Sequence, residues 1–400
     1  MIAPQAAERE APPAALRLRR LTTRDFRNLG RVDLALPAAG LVIIGENGHG
    51  KTNLLEAIYY LMLLRSVRGT RDQDVVRFGA AGFFVGAELE GARVNEITVG
   101  FERQGRRKRV RVDGVDVPRL ADALGALPAV MVSPRDVALV AGAPAERRRF
   151  LDVVLAVSSR RYLHTLQRYR QALTRRNTLL RQAMRSHVPD DQIAVWEPAL
   201  ADHGATLWRE RAAWVATHAD RYAELCAAIG ERGASTLRLT TGVPVAPDDD
   251  GLAAALAAGL AAKRALDMRR GVTHVGPHRD DLALGLDGRE LRLFGSAGQQ
   301  RTAAIALRLL EAETLRQRGG VAPLALLDDP FAELDARRAD RILALLGEAG
   351  LGQTLLAVPR VADIPAEYTR LAQCWIRNGE LGPLSSGAEV SRAGEREGER

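Results

Sequence analysis

The chain has 400 residues, 46% of them apolar and 26% charged, with a formal net charge of +8 and an isoelectric point near 10.0. That length suits one large core or two domains, and the basic balance fits a polyanionic partner. Cys226 and Cys374 form no CxxC pair, which excludes a zinc pair, argues against a disulfide framework and makes a reducing cytoplasm the expected setting. The N-terminus has no apolar signal-peptide core, and no run of about 18 apolar residues suggests a membrane helix. A cytoplasmic protein without a membrane partner is expected.

In chain order, residues 1–14 are rich in Ala, Pro and Glu and read as a disordered tail. Residues 15–143 then carry short strands: LRLRRLT, RVDLAL and LVIIG, a helix from 51 to about 64, then FFVGAELEG, VNEITVGFE, KRVRVDG and VMVS. From Pro144 the character is helical, with proline placed for a first turn. Tyr162, Leu166, Tyr169, Leu173, Leu180 and Met184 form a heptad-like stripe with Asn177 at the skipped seam position, and Trp196, Leu200, Leu207 and Trp214 form a second. These stripes predict an antiparallel helical arm spanning 144–272. Strand–helix alternation resumes over 273–382, with LALGL and LRLF as strands, a helix at 299–317, the strand LALLDD, a helix at 336–346 and the strand TLLAV. Residues 383–400 read as a second tail. The expected fold class is α/β, with mixed sheets around a phosphate loop and a helical insertion.

Gly45, Glu46, Asn47, Gly48, His49, Gly50, Lys51 and Thr52 match G-x-x-x-x-G-K-[ST] in full, between an apolar strand and a helix. Glycines let successive N–H groups curl around phosphate oxygens, and the helix N-terminus adds partial positive charge. Lys51 is expected on the β/γ-phosphates of ATP, with Thr52 on Mg²⁺. The strand 324–328 ends in Asp328, the expected carboxylate for the Mg²⁺ shell. Asp329 follows as the group to polarise an attacking water. Ser296, Gly298 and Gln299 open a long helix and form a second anion-binding corner. Phe331 to Asp335 adds acids just after the carboxylate pair, with Asp335 also suited to cap the next helix.

Together these segments resemble ABC-type ATPases of the SMC/Rad50 group, with Ser296-Ala-Gly298-Gln299 similar to the signature sequence and 331–335 similar to a D-loop. Asp25-Phe-Arg-Asn-Leu29, Ser133-Pro-Arg-Asp136, Arg147-Arg-Arg-Phe-Leu-Asp152 and Gly276-Pro-His-Arg279-Asp280-Asp281-Leu282 narrow the resemblance to the RecF family, from about 16 to 373. The resemblance implies a head-to-tail homodimer that sandwiches ATP, the signature corner of one subunit covering the γ-phosphate held by the other. It further implies weak, DNA-stimulated ATPase activity, binding at single-strand/double-strand junctions of gapped DNA, and RecA loading together with RecO and RecR. Such a protein would serve DNA repair, replication restart and the SOS response. Two places depart from the family pattern: Arg135 replaces the usual Glu, and Ala357-Val358-Pro359 lacks the usual Thr or His switch. The second carboxylate is Asp329 rather than the Glu common in transporter cassettes, and a shorter general base suggests slow turnover. A nucleotide-gated DNA-binding scaffold with negligible ATPase is the alternative, and a transporter cassette a more remote one.

Residues 146–185 hold eleven arginines (147, 148, 149, 160, 161, 168, 170, 175, 176, 181 and 185) against Glu146 and Asp152. The strand expected over 103–111 adds Arg103, Arg106, Arg107, Lys108, Arg109 and Arg111, with Arg107, Arg109 and Arg111 on one face. These are the expected phosphate contacts to DNA, read by shape and charge rather than by base sequence. Residues 278–281 read either as a polar turn or as a group beside the nucleotide or at the interface.

Overall fold

A computed structural model describes residues 16–243, 251–332 and 334–385. The expected tails fall almost wholly outside the described residues. A mainly parallel sheet lies at the centre, in the order Ala372–Arg377, Gly40–Ile44, Thr354–Val358, Leu324–Asp328 and Ala129–Val132, with Glu380–Leu381 antiparallel at one edge. Every residue of Gly40–Ile44 and Leu324–Asp328 is buried. This is why both read as unbroken apolar runs rather than alternating ones. A second sheet is antiparallel, in the order Leu29–Ala35, Arg17–Phe26, Gly82–Glu90, Glu96–Glu102, Arg107–Val112 and Val115–Asp116. Its alternating pattern buries one face against the helix Lys51–Leu63. That helix packs on both sheets, so it is apolar nearly all round.

The insertion is helical, with Pro144–Ser158, Arg160–Ala183, Asp190–Ala194 and Glu197–Ile229 in succession. Pro144 opens its helix at a first-turn position, and Ser159 caps the next by accepting from the Tyr162 N–H. The stripe from Tyr162 to Leu180 faces inward, whereas Met184 lies past the helix end and is exposed. Asn177 uses its seam position to accept from the Thr273 N–H and hydroxyl, at 2.9 and 2.8 Å. A strand, Ser235–Thr240, and an Ala-rich helix, Leu252–Arg270, complete the insertion. Gly204 makes that helix's close approach possible, since a Cβ there would lie 2.4 Å from Leu256 Cδ2.

Two local expectations require correction. LRLF is not a strand: Leu291–Phe294 is one helical turn, closed by the Gly295 N–H on the Leu291 carbonyl. Strand alternation would bury Leu293 with Leu291, but Leu293 and Phe294 both face outward. The basic strand begins only at Arg107, because Gln104–Arg106 form a tight turn around Gly105, whose φ is 74°.

Candidate functional site

The phosphate loop links the strand Gly40–Ile44 to the helix Lys51–Leu63 at the carboxyl edge of the parallel sheet, where such folds place their ligands. Gly48 and Gly50 have φ of 86° and 115°, a region open to glycine, so the loop can turn its N–H groups inward. The Lys51 ammonium donates to the carbonyls of Gly45 and Glu46, the latter at 3.0 Å. Burial holds its pKa below the ordinary lysine value, against the opposing pull of Asp328, Asp329 and Glu46.

The Thr52 hydroxyl contacts both carboxylate oxygens of Asp328, at 2.8 and 3.0 Å, across 276 residues of sequence. Burial raises the Asp328 pKa, opposed by the Thr52 hydrogen bond and by Lys51. The Asp329 pKa is also raised, chiefly by burial, with Asp363 adding like-charge repulsion while Lys51 and Arg301 oppose. A hydroxyl and an acid side by side are hard oxygen donors. This set fits Mg²⁺, which takes one or two protein ligands and keeps several waters. Asp329 sits at φ 46°, its N–H bonded to the Ala357 carbonyl at 2.9 Å. Arg301, on the helix Ala297–Gly319, donates to the Pro330 carbonyl at 2.8 Å and so grips this corner from behind.

The cleft over this edge, about 400 Å³, is lined by Asn47, Gly48, Gly50, Lys51, Thr52 and Asn53, with Arg68, Pro134, Arg135, Asp328 and Asp329 opposite. Asn28 and Asn53 bond at 2.8 Å, and a Cβ on Gly50 would meet Asn28 Oδ1 at 2.9 Å. His49 is turned away, accepting through Nδ1 from the Asn378 N–H at 3.0 Å. Glu46 is largely solvent-exposed. Arg27 and Arg68 both hold the fully buried Glu56, at 2.8 and 2.9 Å, which anchors the loop's helix to the antiparallel sheet. Asn53, Arg68 and Arg135 are the cleft residues that no motif singled out as a ligand. Asn28 stands in the quoted Asp25–Leu29 stretch, but Arg68 carries no sequence signal.

Ser296, Gly298 and Gln299 lie outside this cleft. Ser296 Oγ accepts from the Gln299 N–H at 3.3 Å, and Gln299 Oε1 accepts from the Ser296 N–H at 2.9 Å, a reciprocal cap. The adjacent Leu293 and Phe294 are 62% and 67% exposed. Asp335 caps the helix Ala336–Glu348 by accepting from the Arg338 N–H. Val358, at the expected switch position, is buried, and its carbonyl accepts from the Gly45 N–H at 3.3 Å.

The expected arginine surface divides. Arg147 is buried on Asp281, and Arg176 is wholly buried between Asp267 and Glu197. Arg149 donates to the carbonyls of Ser66 and Val67, and Arg170 pairs with Asp152. Arg109 and Arg111 share Asp116, and Lys108 points the other way, to Asp72. Burial lowers the Lys108 pKa. Arg161, Arg168 and Arg175 are exposed at seven-residue intervals of one helix and form no ion pair among the described residues.

Residues 278–281 are not beside the nucleotide cleft. They form the junction of arm and head. Asp280 accepts from the Trp208 indole at 2.9 Å and from Arg211 at 2.7 Å, and Arg211 also pairs with Asp152 at 2.8 Å. Only Asp280 is buried in this network; Asp281, partly exposed, pairs with Arg147 at 2.7 Å, and Arg279 is exposed and donates to the Thr273 carbonyl at 2.8 Å.

Among the described residues no helix is long and apolar enough to cross a membrane. Residues 17–358 match the family model described as the RecF/RecN/SMC N-terminal domain. A protein of Salinibacter ruber described as DNA replication and repair protein RecF is 37% identical over 351 residues, covering 86% of this chain and 85% of its own. Its counterpart in Chloroflexus aggregans is 38% identical, covering 90% and 98%. A solved structure of the recombination mediator protein RecF with ATP superposes with a TM-score of 0.84 at 27% identity, over 94% of this chain and all of that one. The Smc head of Pyrococcus furiosus, at 16% identity and a TM-score of 0.55, shares the fold. With the same ATPase-head architecture and a relationship that runs through nearly the whole chain, this protein belongs to the RecF family.

Proposed function

We propose that the chain is an ATP-gated recombination mediator. Its ATP-bound homodimer holds gapped DNA near single-strand/double-strand junctions and assists RecA loading with RecO and RecR. Within that reading, Lys51 and the loop N–H groups bind the phosphates, Thr52 and Asp328 hold Mg²⁺, and Asp329 orients the attacking water. One observation carries the proposal. The Thr52–Asp328 contact completes one side of a nucleotide site, while the Ser296 corner stands capped but outside that cleft, next to exposed Leu293 and Phe294. Two half-sites on different surfaces of one chain are joined by two-fold pairing. The exposed Arg161, Arg168 and Arg175 supply phosphate contacts for DNA.

Sedimentation with ATP, ADP or no nucleotide, each with and without a gapped duplex, tests this. A dimer that forms only with ATP and carries the DNA is expected; a nucleotide-independent mass refutes it. The scaffold reading is favoured by one feature, the apolar Val358 at the switch. Single-turnover hydrolysis separates the two, since phosphate release with DNA is expected of the ATPase and absent from the scaffold.

A further inference from the structure

Four parallel strands end at the nucleotide cleft, and each brings a different chemistry. Gly40–Ile44 leads to the phosphate loop and Lys51, Leu324–Asp328 brings the two acids, and Thr354–Val358 ends in a buried apolar side chain. Ala129–Val132, beside the acidic strand on its far side, leads to Ser133, Pro134 and Arg135. A triphosphate with one divalent cation remains anionic, and the cleft adds Asp328 and Asp329. It therefore needs cations beyond Lys51. Arg68 is already committed, to Asn53 at 2.7 Å and to Glu56 at 2.9 Å. Arg135 is exposed and lines the cleft, and its side chain forms no hydrogen bond or ion pair among the described residues.

We propose that Arg135 is a nucleotide-positioning residue that contacts the terminal phosphate of ATP from within the same subunit, an inference that rests on the nucleotide reading above. Direction follows from strand order. Thr52 contacts Asp328 two strands across from the loop, which sets the metal end of the phosphates toward the acidic strand. Arg135 leaves the next strand beyond and meets the far phosphate rather than the near ones. Its mount is rigid although its side chain is free. Pro134 opens the turn, the Ser133 N–H donates to Asp136 Oδ2 at 2.7 Å, and Asp136 is held by the buried Arg308 at 2.6 Å. Arg308 stands on the helix that Ser296 caps. The turn that carries Arg135 is thereby tied to the element whose N-terminus is offered to the partner subunit. A guanidinium on a fixed turn suits a phosphate oxygen because little order must be gained on binding.

The test is equilibrium binding of a fluorescent non-hydrolysable ATP analogue and of the matching ADP, both with Mg²⁺, to the full chain. Arg135→Ala should weaken the ATP analogue about tenfold, the order of one partly solvated charge-assisted hydrogen bond. ADP affinity should change less than about twofold, and Arg135→Lys should recover part of the loss. Equal losses for both nucleotides, or no loss for either, overturn the assignment while leaving the nucleotide site intact. Failure of the unsubstituted chain to bind either nucleotide removes the underlying reading as well. Retained ADP binding shows that the variant is folded.

Discussion

His278 should make the arm–head junction sensitive to acid. Its Nε2 must donate to the Thr273 carbonyl at 2.9 Å, because a carbonyl can only accept, and this leaves Nδ1 to accept the Tyr169 hydroxyl at 2.7 Å. The ring is neutral in that arrangement, and burial first, then Arg279 and Arg148, hold its pKa down at about 4, against a reference of 6.5. A base whose folded pKa is depressed contributes stability that is present above the unfolded value and lost as pH falls through the folded one. With these two values the loss is about 2 kcal/mol by pH 5 and about 3 kcal/mol when complete. Carboxylates as a class take up protons on the same acid side, so the measurement is a difference. Urea unfolding of the natural chain and of His278→Gln, which keeps a donor toward Thr273, is followed from pH 7.5 to 4.5. The natural chain should start more stable and lose its advantage by about 2 kcal/mol near pH 5. A difference that stays constant across that interval would refute a neutral, buried His278.

Lys51→Arg should abolish ATP-dependent dimerisation, since a planar fork does not fit the space where the ammonium lies against the Gly45 and Glu46 carbonyls; sedimentation with ATP reads this. Ser296→Arg should leave nucleotide binding by the monomer within about twofold while shifting dimerisation by more than about tenfold, and loss of monomer binding contradicts a role in the partner's site. Replacing Arg161, Arg168 and Arg175 together with Ala should flatten the dependence of log K for DNA on log salt by about 2.7, and an unchanged slope excludes that helix face. Arg176→Met, one residue from Arg175, should instead cost about 3–5 kcal/mol of folding stability, because Asp267 is left buried without its guanidinium.

Local features were legible in the sequence wherever one short stretch carries its own physics. The phosphate loop, the apolar strand ending at Asp328 and the helix opened by Ser296 each declare themselves, and each stands at the end of an element as expected. The arginines behaved otherwise. Arg175 and Arg176 look alike in sequence, yet one meets water and the other lies between two acids from Glu197 and Asp267. That difference is set by helix phase and by partners 21 and 91 residues away, which composition does not encode. Arg68 was hidden for the same reason, its place in the cleft being fixed by Glu56 and Asn53 rather than by a motif. Leu291–Phe294 misled because alternating apolar residues suggest a strand unless the exposure of Leu293 is known.

The buried junction of Trp208, Arg211 and Asp280 has a mechanical consequence. The long helix Glu197–Ile229 is clamped there and again where Arg221 meets Glu313, at 2.9 Å, so it behaves as a beam built in at one end rather than as a tether. From Arg211 to Glu197 the helix runs about 21 Å at 1.5 Å per residue, packed through Gly204 against the helix Leu252–Arg270. A tilt of about 5° at the base would sweep the tip by roughly 2 Å over that length. That is the scale on which a hydrogen bond is made or lost. Arg176 fastens to the tip through Glu197, so the exposed arginines beside it would be carried along, turning a small rotation of the head into a change of grip far from the nucleotide.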